Sequence, residues 1–388
     1  MPLPATERIL LGPGPSLIPP RVIRAMAAPV LSHLDPDFVP LLDDVRASLK
    51  RVFRADEKAL TLATSGTGTS AMEAAVANSV SEGMRGVVIV SGYFGDRLAQ
   101  IFERYGAAVR RIDVEWGRAV DPQRLRDELR RDGADVVGMV HAETSTGVRN
   151  PIRELTAIAR EAGALTIVDT VTSLGGQEVD LAGWGVDIAY SCTQKCIGAP
   201  SGLGPIAVSG AARARLVPCR SFYLDLGLLE DYWVGRKYHH TLSTTLIYAL
   251  REALMMVEEE GLEARVARHE RHHRALAAGV QAMGLSLLPP EGERLWTLNT
   301  IRVPSGVDEA AVRRTLLTTF NLEVGAGLGP LAGKIWRVGL MGASSTPQTL
   351  LQFLAALESA LAANGHETPA GAGVAAASAS LRPQLTTA

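Results

Sequence analysis

Between Asp187 and Arg213 the chain carries one charged side chain, Lys195. It stands in Ser191-Cys192-Thr193-Gln194-Lys195-Cys196, directly after the apolar run Ile188–Tyr190. Burial in such a stretch disfavours the ammonium form and lowers the amine's pKa. A neutral amine is the form that attacks a carbonyl carbon to make an imine. The competing reading is a lysine that snorkels to water or pairs with a remote carboxylate. The setting stands out because this chain has only five lysines among its 39 basic residues, and otherwise uses arginine as its surface cation.

Asp169 ends a second apolar run, Leu165-Thr166-Ile167-Val168, and Lys195 follows 26 residues later, about one strand–helix step. A carboxylate at the end of a buried strand is placed to meet a ligand. Pyridoxal phosphate requires one, to keep its ring nitrogen protonated and its ring electron-accepting. An aspartate capping the next turn is the bland alternative. Upstream, Ser65-Gly66-Thr67-Gly68-Thr69-Ser70 joins a strand to a helix, where free amides and the helix dipole cradle phosphate. The loop fits the loose dinucleotide fingerprint, but the next strand ends in Ser91-Gly92 rather than an acidic residue. A single-phosphate site therefore fits better than a dinucleotide site. Phe94 could stack on a flat ring, Val171 could press on its other face, and the Thr144 hydroxyl could bond a ring substituent. Each alone is more often core or turn. Their recurrence at successive strand ends gives them weight.

The elements that must position these residues alternate. Short β-branched runs at Ala59–Thr61, Val87–Val90, Val136–Val140, Leu165–Val168, Ile188–Tyr190 and Pro205–Val208 are separated by helix-like stretches such as Ser70–Val80 and Pro151–Ala162. That pattern predicts an α/β fold with a largely parallel sheet, whose ligands gather at the strands' carboxyl ends. Residues 1–20 read as an extended Pro/Gly arm and 21–260 as the large domain. Residues 261–366 read as a smaller α+β domain with strands at Trp296–Val303 and Ile335–Leu340, and 367–388 as a disordered Ala/Gly/Ser tail.

Taken together these segments resemble the class V aminotransferases of the alanine–glyoxylate and serine–glyoxylate type, from Gly12 to about residue 365. The resemblance rests on Leu11-Gly12-Pro13-Gly14-Pro15, Ser65–Thr69, Glu143-Thr144-Ser145-Thr146-Gly147, Val168-Asp169, Ser173–Gly176, Gln194-Lys195, Ser221–Asp225, Tyr238-His239-His240-Thr241, Gly327–Pro330 and Arg337-Val338-Gly339. It implies a pyridoxal-phosphate transferase of fold type I and a homodimer with shared sites. By the same resemblance Lys195 holds the cofactor and Asp169 pairs with its ring nitrogen. Phe94 stacks and Thr144 supports the ring. Thr67, Gly68, Thr69 and Gln194 hold the phosphate, with Tyr238 and Thr241 from the partner. Arg337 grips the substrate carboxylate, with Ser173 nearby. Thr69 and Phe94 depart from residues common in the family, His and Trp, which bears on the choice of donor. Alanine, serine and other small donors all fit one carboxylate grip. A ureidoglycine- or pyruvate-using transaminase, a lyase or a desulfurase stays within the same class.

A zinc hydrolase is the reading from another class, through His269-Glu270-Arg271-His272-His273 with Glu293 as third ligand. Arg268, Arg271 and Arg274 around it point instead to a solvated helix face. A non-catalytic binder on the same fold is the third, and the carboxylate-gripping Arg337 argues against it. The net charge of −2 offers no case for nucleic acid or an anionic membrane. No apolar stretch reaches membrane-spanning length, no secretory leader is visible, and three cysteines form no disulfide framework. These features predict a cytoplasmic protein.

Overall fold

The structure is a computed structural model and describes residues 7–382. Its large sheet has seven strands: β1 Leu60–Ser65, β2 Arg85–Val90, β3 Ala108–Asp113, β4 Val136–Val140, β5 Leu165–Asp169, β6 Ile188–Tyr190 and β7 Leu203–Val208. They lie in the order β1-β7-β6-β5-β4-β2-β3. Only β7 runs antiparallel, against both β1 and β6; the other neighbours are parallel. β2, β4, β5 and β6 are β-branched and buried along nearly their whole length, as strands covered by helices on both faces must be. Each such Val or Ile removed from water contributes about 1.5–3 kcal/mol. The sequence reading missed β3. It is an edge strand whose Arg110 and Arg111 stay partly in water, so its apolar signal is weak.

The helices that matter for the site are α1 Gly68–Ala77 and α2 Tyr93–Arg104, each entered from the carboxyl end of a strand. Further on come α3 Ile152–Glu161, α4 Thr244–Glu260 and α5 Leu262–Ala282. Gly261, at φ +81°, separates α4 from α5. A second core then forms around β8 Leu298–Arg302, β9 Gly325–Ala326 and β10 Ile335–Gly339, an antiparallel sheet in the order β8-β10-β9. Helix α6 Pro347–Ala363 covers this core.

The arm is extended, as expected, but it is not loose. Ile9–Leu10 pairs in parallel with Leu322–Glu323, and the Gly339 N–H donates to the Leu11 carbonyl at 2.7 Å. The tail expectation is corrected for part of its length. Ala372–Leu381 forms a helix, α7, against α5. Its alanines and glycines permit a close approach: a Cβ on Gly373 would stand 2.7 Å from Met283 Sδ, and one on Gly279 would stand 2.8 Å from the Gly373 carbonyl. A composition read as disorder is here a small-residue packing face. Residues 383–388 lie outside the described residues.

Candidate active site

Strand ends bring the chemistry together. In the parallel register Asp169 pairs with Tyr190, so both project from the carboxyl edge of the sheet, and the Lys195 loop continues from β6. The start of α1 lies against this edge: a Cβ on Gly68 would stand 3.1 Å from Cys192 Cβ and 3.2 Å from Val171 Cγ2.

Lys195 is 8% exposed. Burial lowers its pKa, and the nearby Arg337 guanidinium lowers it further. The arm seals it. Lys195 Nζ donates to the Pro13 carbonyl, and Gly14, at φ +110°, leaves just enough room for the lysine stem, whose Cδ would lie 2.7 Å from a Cβ there. Ser16 completes the latch, with its hydroxyl donating to the Lys195 carbonyl at 2.8 Å and its N–H to the Gln194 carbonyl at 2.9 Å. On the other side Arg265 of α5 donates to the Gly175 and Cys196 carbonyls at 2.7 and 2.6 Å. The sequence reading saw the Gly/Pro arm but not that it covers the lysine.

Asp169 is buried, and burial pushes its pKa up to about 7. Its Oδ1 accepts the Val171 N–H at 2.8 Å, while Oδ2 has no hydrogen-bond partner among the described residues. The Tyr190 phenol is buried beside it and raised in pKa by burial first and by the Asp169 charge second. The two groups sense each other's charge, yet no hydrogen bond of good geometry joins them.

Arg337 projects from β10 and is 7% exposed. It donates to the Ala326 carbonyl at 2.6 Å and to the Thr144 carbonyl at 3.4 Å, and no carboxylate lies within ion-pair distance among the described residues. Burial lowers its pKa to about 10. Arg337 is thus not spent on an internal salt bridge among the described residues. It is a desolvated cation facing the Thr144 turn, with only the more distant Glu143 carboxylate acting on its charge.

The remaining predicted residues fall as follows. Phe94 starts α2, with its ring 5.6 Å from Tyr93 and 5.2 Å from the Arg97 guanidinium carbon. Thr69 accepts from Arg97 at 3.0 Å. Thr144 is buried, but its hydroxyl is already engaged with the Thr172 hydroxyl at 2.5 Å. The Ser173 hydroxyl is bonded with His141 Nδ1 at 3.0 Å, and it makes no hydrogen bond to Arg337. Tyr238 and Thr241 are on the surface, Tyr238 63% exposed and 5.7 Å from the His33 ring.

The residues present fit pyridoxal phosphate. Among the described residues the N–H groups of Gly68 and Thr69, at the open end of α1, donate to no protein group, and the cap residue Thr67 offers them no side-chain bond. Gln194 Oε1 is buried with no partner among the described residues, so nothing holds the amide in place and it is free to turn its NH2, the donor a phosphate needs, into the site. A desolvated amine, a carboxylate with a free oxygen and open helix amides at one sheet edge, with the Arg337 cation reaching toward them from β10, match an aldehyde, a ring nitrogen, a phosphate and a substrate carboxylate. A groove of about 870 Å³ elsewhere, between Arg149, His273, Arg294 and Trp296, holds none of these groups. The chemistry, not the concavity, locates the site.

The zinc motif is corrected. His269, His272 and His273 are buried rather than solvated. His269 Nδ1 donates to the Arg265 carbonyl at 2.7 Å and its Nε2 accepts from the Gly342 N–H at 3.0 Å, while His272 and His273 bond Ser345 and Asn299. Burial holds all three well below the usual histidine pKa, at about 3, 4 and 4. Glu293 accepts instead from Arg118 and the Ala119 N–H. Among the described residues no group of three potential ligands is placed to hold a metal.

The family comparison agrees with the geometry: the model for aminotransferase class V matches residues 8–334. The chain is a class V aminotransferase. The (S)-ureidoglycine–glyoxylate transaminase of Bacillus subtilis is 38% identical over 393 residues, covering 95% of this chain and 94% of the relative. Its crystal structure superposes with a TM-score of 0.94 over 98% of this chain and 99% of that one. The alanine–glyoxylate aminotransferase structure from Nostoc sp. is 46% identical, with a TM-score of 0.91 over 93% of this chain and 97% of that one. The fold is therefore that of the type I pyridoxal-phosphate aminotransferases, and pyridoxal phosphate is this aminotransferase's cofactor.

Proposed function

We propose that this aminotransferase moves an amino group from a small amino acid, alanine or serine, to glyoxylate or a related 2-oxo acid. The observation that carries the reading is Arg337, a buried guanidinium near Lys195 that makes no ion pair among the described residues. Donor and acceptor both present one carboxylate, and a forked arginine matches it. The activities of the relatives, alanine–glyoxylate and ureidoglycine–glyoxylate transfer, support it.

When bound, pyridoxal phosphate supplies an aldehyde that captures an amine and a ring that accepts electrons. Gly68, Thr69 and Gln194 would hold its phosphate, with Thr67 at the cap. Asp169 Oδ2 would pair with the ring nitrogen, and that cation would hold the carboxylate ionised. Val171 and Phe94 would pack on the ring. Arg337 would orient the substrate carboxylate, while Lys195 Nζ, whose ammonium form burial disfavours, would move the proton at the substrate's α-carbon. Tyr238 and Thr241 serve the partner's phosphate in a homodimer. Exposed Phe222, Tyr223 and Tyr238 beside buried His239 support such an interface.

A ureidoglycine donor is the second reading, favoured by the Bacillus subtilis relative. Desulfurase chemistry fits less well: Cys192 and Cys196 are fully buried, and burial pushes their thiols up to about 12 and about 11, away from the reactive thiolate. Single-turnover reactions with alanine, serine and ureidoglycine, followed by loss of the aldehyde-form absorbance, rank the donors. Glyoxylate and pyruvate are then compared for its recovery. Failure of every small donor would overturn the proposal.

A further inference from the structure

A helix leaves its first N–H groups without intrahelical partners, and a side chain at the N-cap usually satisfies one. Helix α2 has glycine at its N-cap, Gly92, and no such bond. Its orphan donors are instead bound from another element. The short hairpin Ala142–Glu143/Val148–Arg149 presents Glu143, which is 0% exposed. Glu143 Oε2 accepts the Phe94 and Gly95 N–H groups, each at 3.2 Å. Its Oε1 accepts the Ser145 N–H at 3.0 Å and hydroxyl at 2.6 Å, and the Ser145 Oγ in turn accepts the Tyr93 N–H at 2.9 Å. The N–H groups of Tyr93, Phe94 and Gly95 are thus all held by one Glu–Ser pair. The backbone at Gly92 must stay bare: a Cβ there would lie 2.5 Å from Glu143 Cγ. Between the two clamping residues, Thr144 offers its carbonyl to Arg337 at 3.4 Å. A carboxylate at a helix N-terminus is electrostatically favoured, and its hydrogen bonds oppose the rise in pKa that burial causes.

We propose that Glu143 is a positioning residue, whose carboxylate clamps the start of α2 and thereby fixes the Phe94 ring over the cofactor. The inference rests on the reading of Phe94 as the stacking residue. Glu143→Gln keeps the shape but places an NH2 among donors whichever way the amide turns, so the clamp opens. Glu143 also lies within electrostatic reach of Asp169 and Arg337, so the Phe94 route is separated by repeating the substitution without the Phe94 ring.

The test uses holoenzyme and two readouts other than turnover: the rate of cofactor release and the visible circular dichroism of the bound cofactor. Glu143→Gln is expected to speed release roughly three- to tenfold, the range of one aromatic stacking contact, and to weaken the dichroic band. In a Phe94→Ala background the same substitution should add nothing. An equal acceleration with and without the Phe94 ring would show a merely structural role and overturn the proposal. Wild-type release and dichroism in Phe94→Ala would overturn the stacking reading and this inference with it. A clear effect of Phe94→Ala with none of Glu143→Gln would overturn the inference alone. If Glu143→Gln does not fold, Ser145→Ala keeps the carboxylate and removes one brace. A smaller effect in the same direction is then expected, again absent without Phe94, and no effect at all counts against the clamp.

Discussion

Arg337 of the small sheet donates to the Thr144 carbonyl of the large domain at 3.4 Å, and it does so without a carboxylate partner among the described residues. Removing it should therefore cost binding rather than folding. Arg337→Ala is expected to lower kcat/KM for amino donor and 2-oxo acid by similar factors, equivalent to about 2–5 kcal/mol. The melting temperature should hold or rise, because an unpaired buried charge disappears. Arg337→Lys should recover only part of the loss, since an ammonium cannot reproduce the fork. Early melting with normal turnover of the surviving holoenzyme would place the carboxylate grip elsewhere.

Lys195 is the one lysine of the five set in the sealed loop under Pro13 and Gly14. Borohydride reduction of holoenzyme should fix the cofactor on Lys195, as read by peptide mapping. Lys195→Ala should lose covalent attachment while retaining phosphate-dependent binding. A label on Lys50, Lys58, Lys237 or Lys334 would refute the assignment.

Asp169 gives a pH signature in the cofactor-free protein. Its pKa is raised to about 7 from a model-peptide value near 3.8. Between those values the folded protein holds a proton that the unfolded chain has lost, so stability falls as pH rises from about 4 to about 7. The slope is at most about 1.4 kcal/mol per pH unit. Asp169→Asn mimics the protonated form and should lack this contribution. Its melting temperature relative to wild type should climb across that window, while its half-reaction slows by orders of magnitude. Parallel curves for the two apo-proteins would show that Asp169 is ordinary in pKa.

Helix α7 offers a stability test. Deleting residues 369–388 uncovers Gly279 on α5 and Met283 at its C-cap and removes the buried Ala377. A loss of roughly 1–3 kcal/mol in denaturant unfolding is expected, without change in cofactor affinity. Unaltered stability would show that α7 adds nothing to the second core.

Tyr238 and Thr241 test assembly. Their exposure in one protomer leads to the expectation that dilution below the dimer's dissociation constant releases cofactor. Tyr238→Ala should weaken phosphate-dependent binding in the intact dimer. Full activity and normal cofactor affinity in a monomer would rule out a shared site.

Much of this protein was legible from local pattern. The buried runs ending at Asp169 and Tyr190, the lone Lys195 and the glycine turn at Gly66–Gly68 follow from composition and spacing, because a strand buried on both faces tolerates a polar group only at its end. That was enough to propose Lys195 and Asp169 as the cofactor's amine and carboxylate. What the fold alone decided is which polar groups are already satisfied. Ser173 and Thr144 carry free-looking hydroxyls in the sequence, yet His141 and Thr172, brought alongside by the fold, occupy them. Glu143 looks like one polar residue in a turn, and becomes the clamp on α2 only because the hairpin lies over Gly92. The histidines of α5 looked solvated among arginines; a helix face has no fixed outside until the loop at Gly342–Ser345 packs on it. Periodicity and residue type reveal what a segment prefers, while hydrogen-bond satisfaction belongs to pairs distant in sequence and is set when the chain closes on itself.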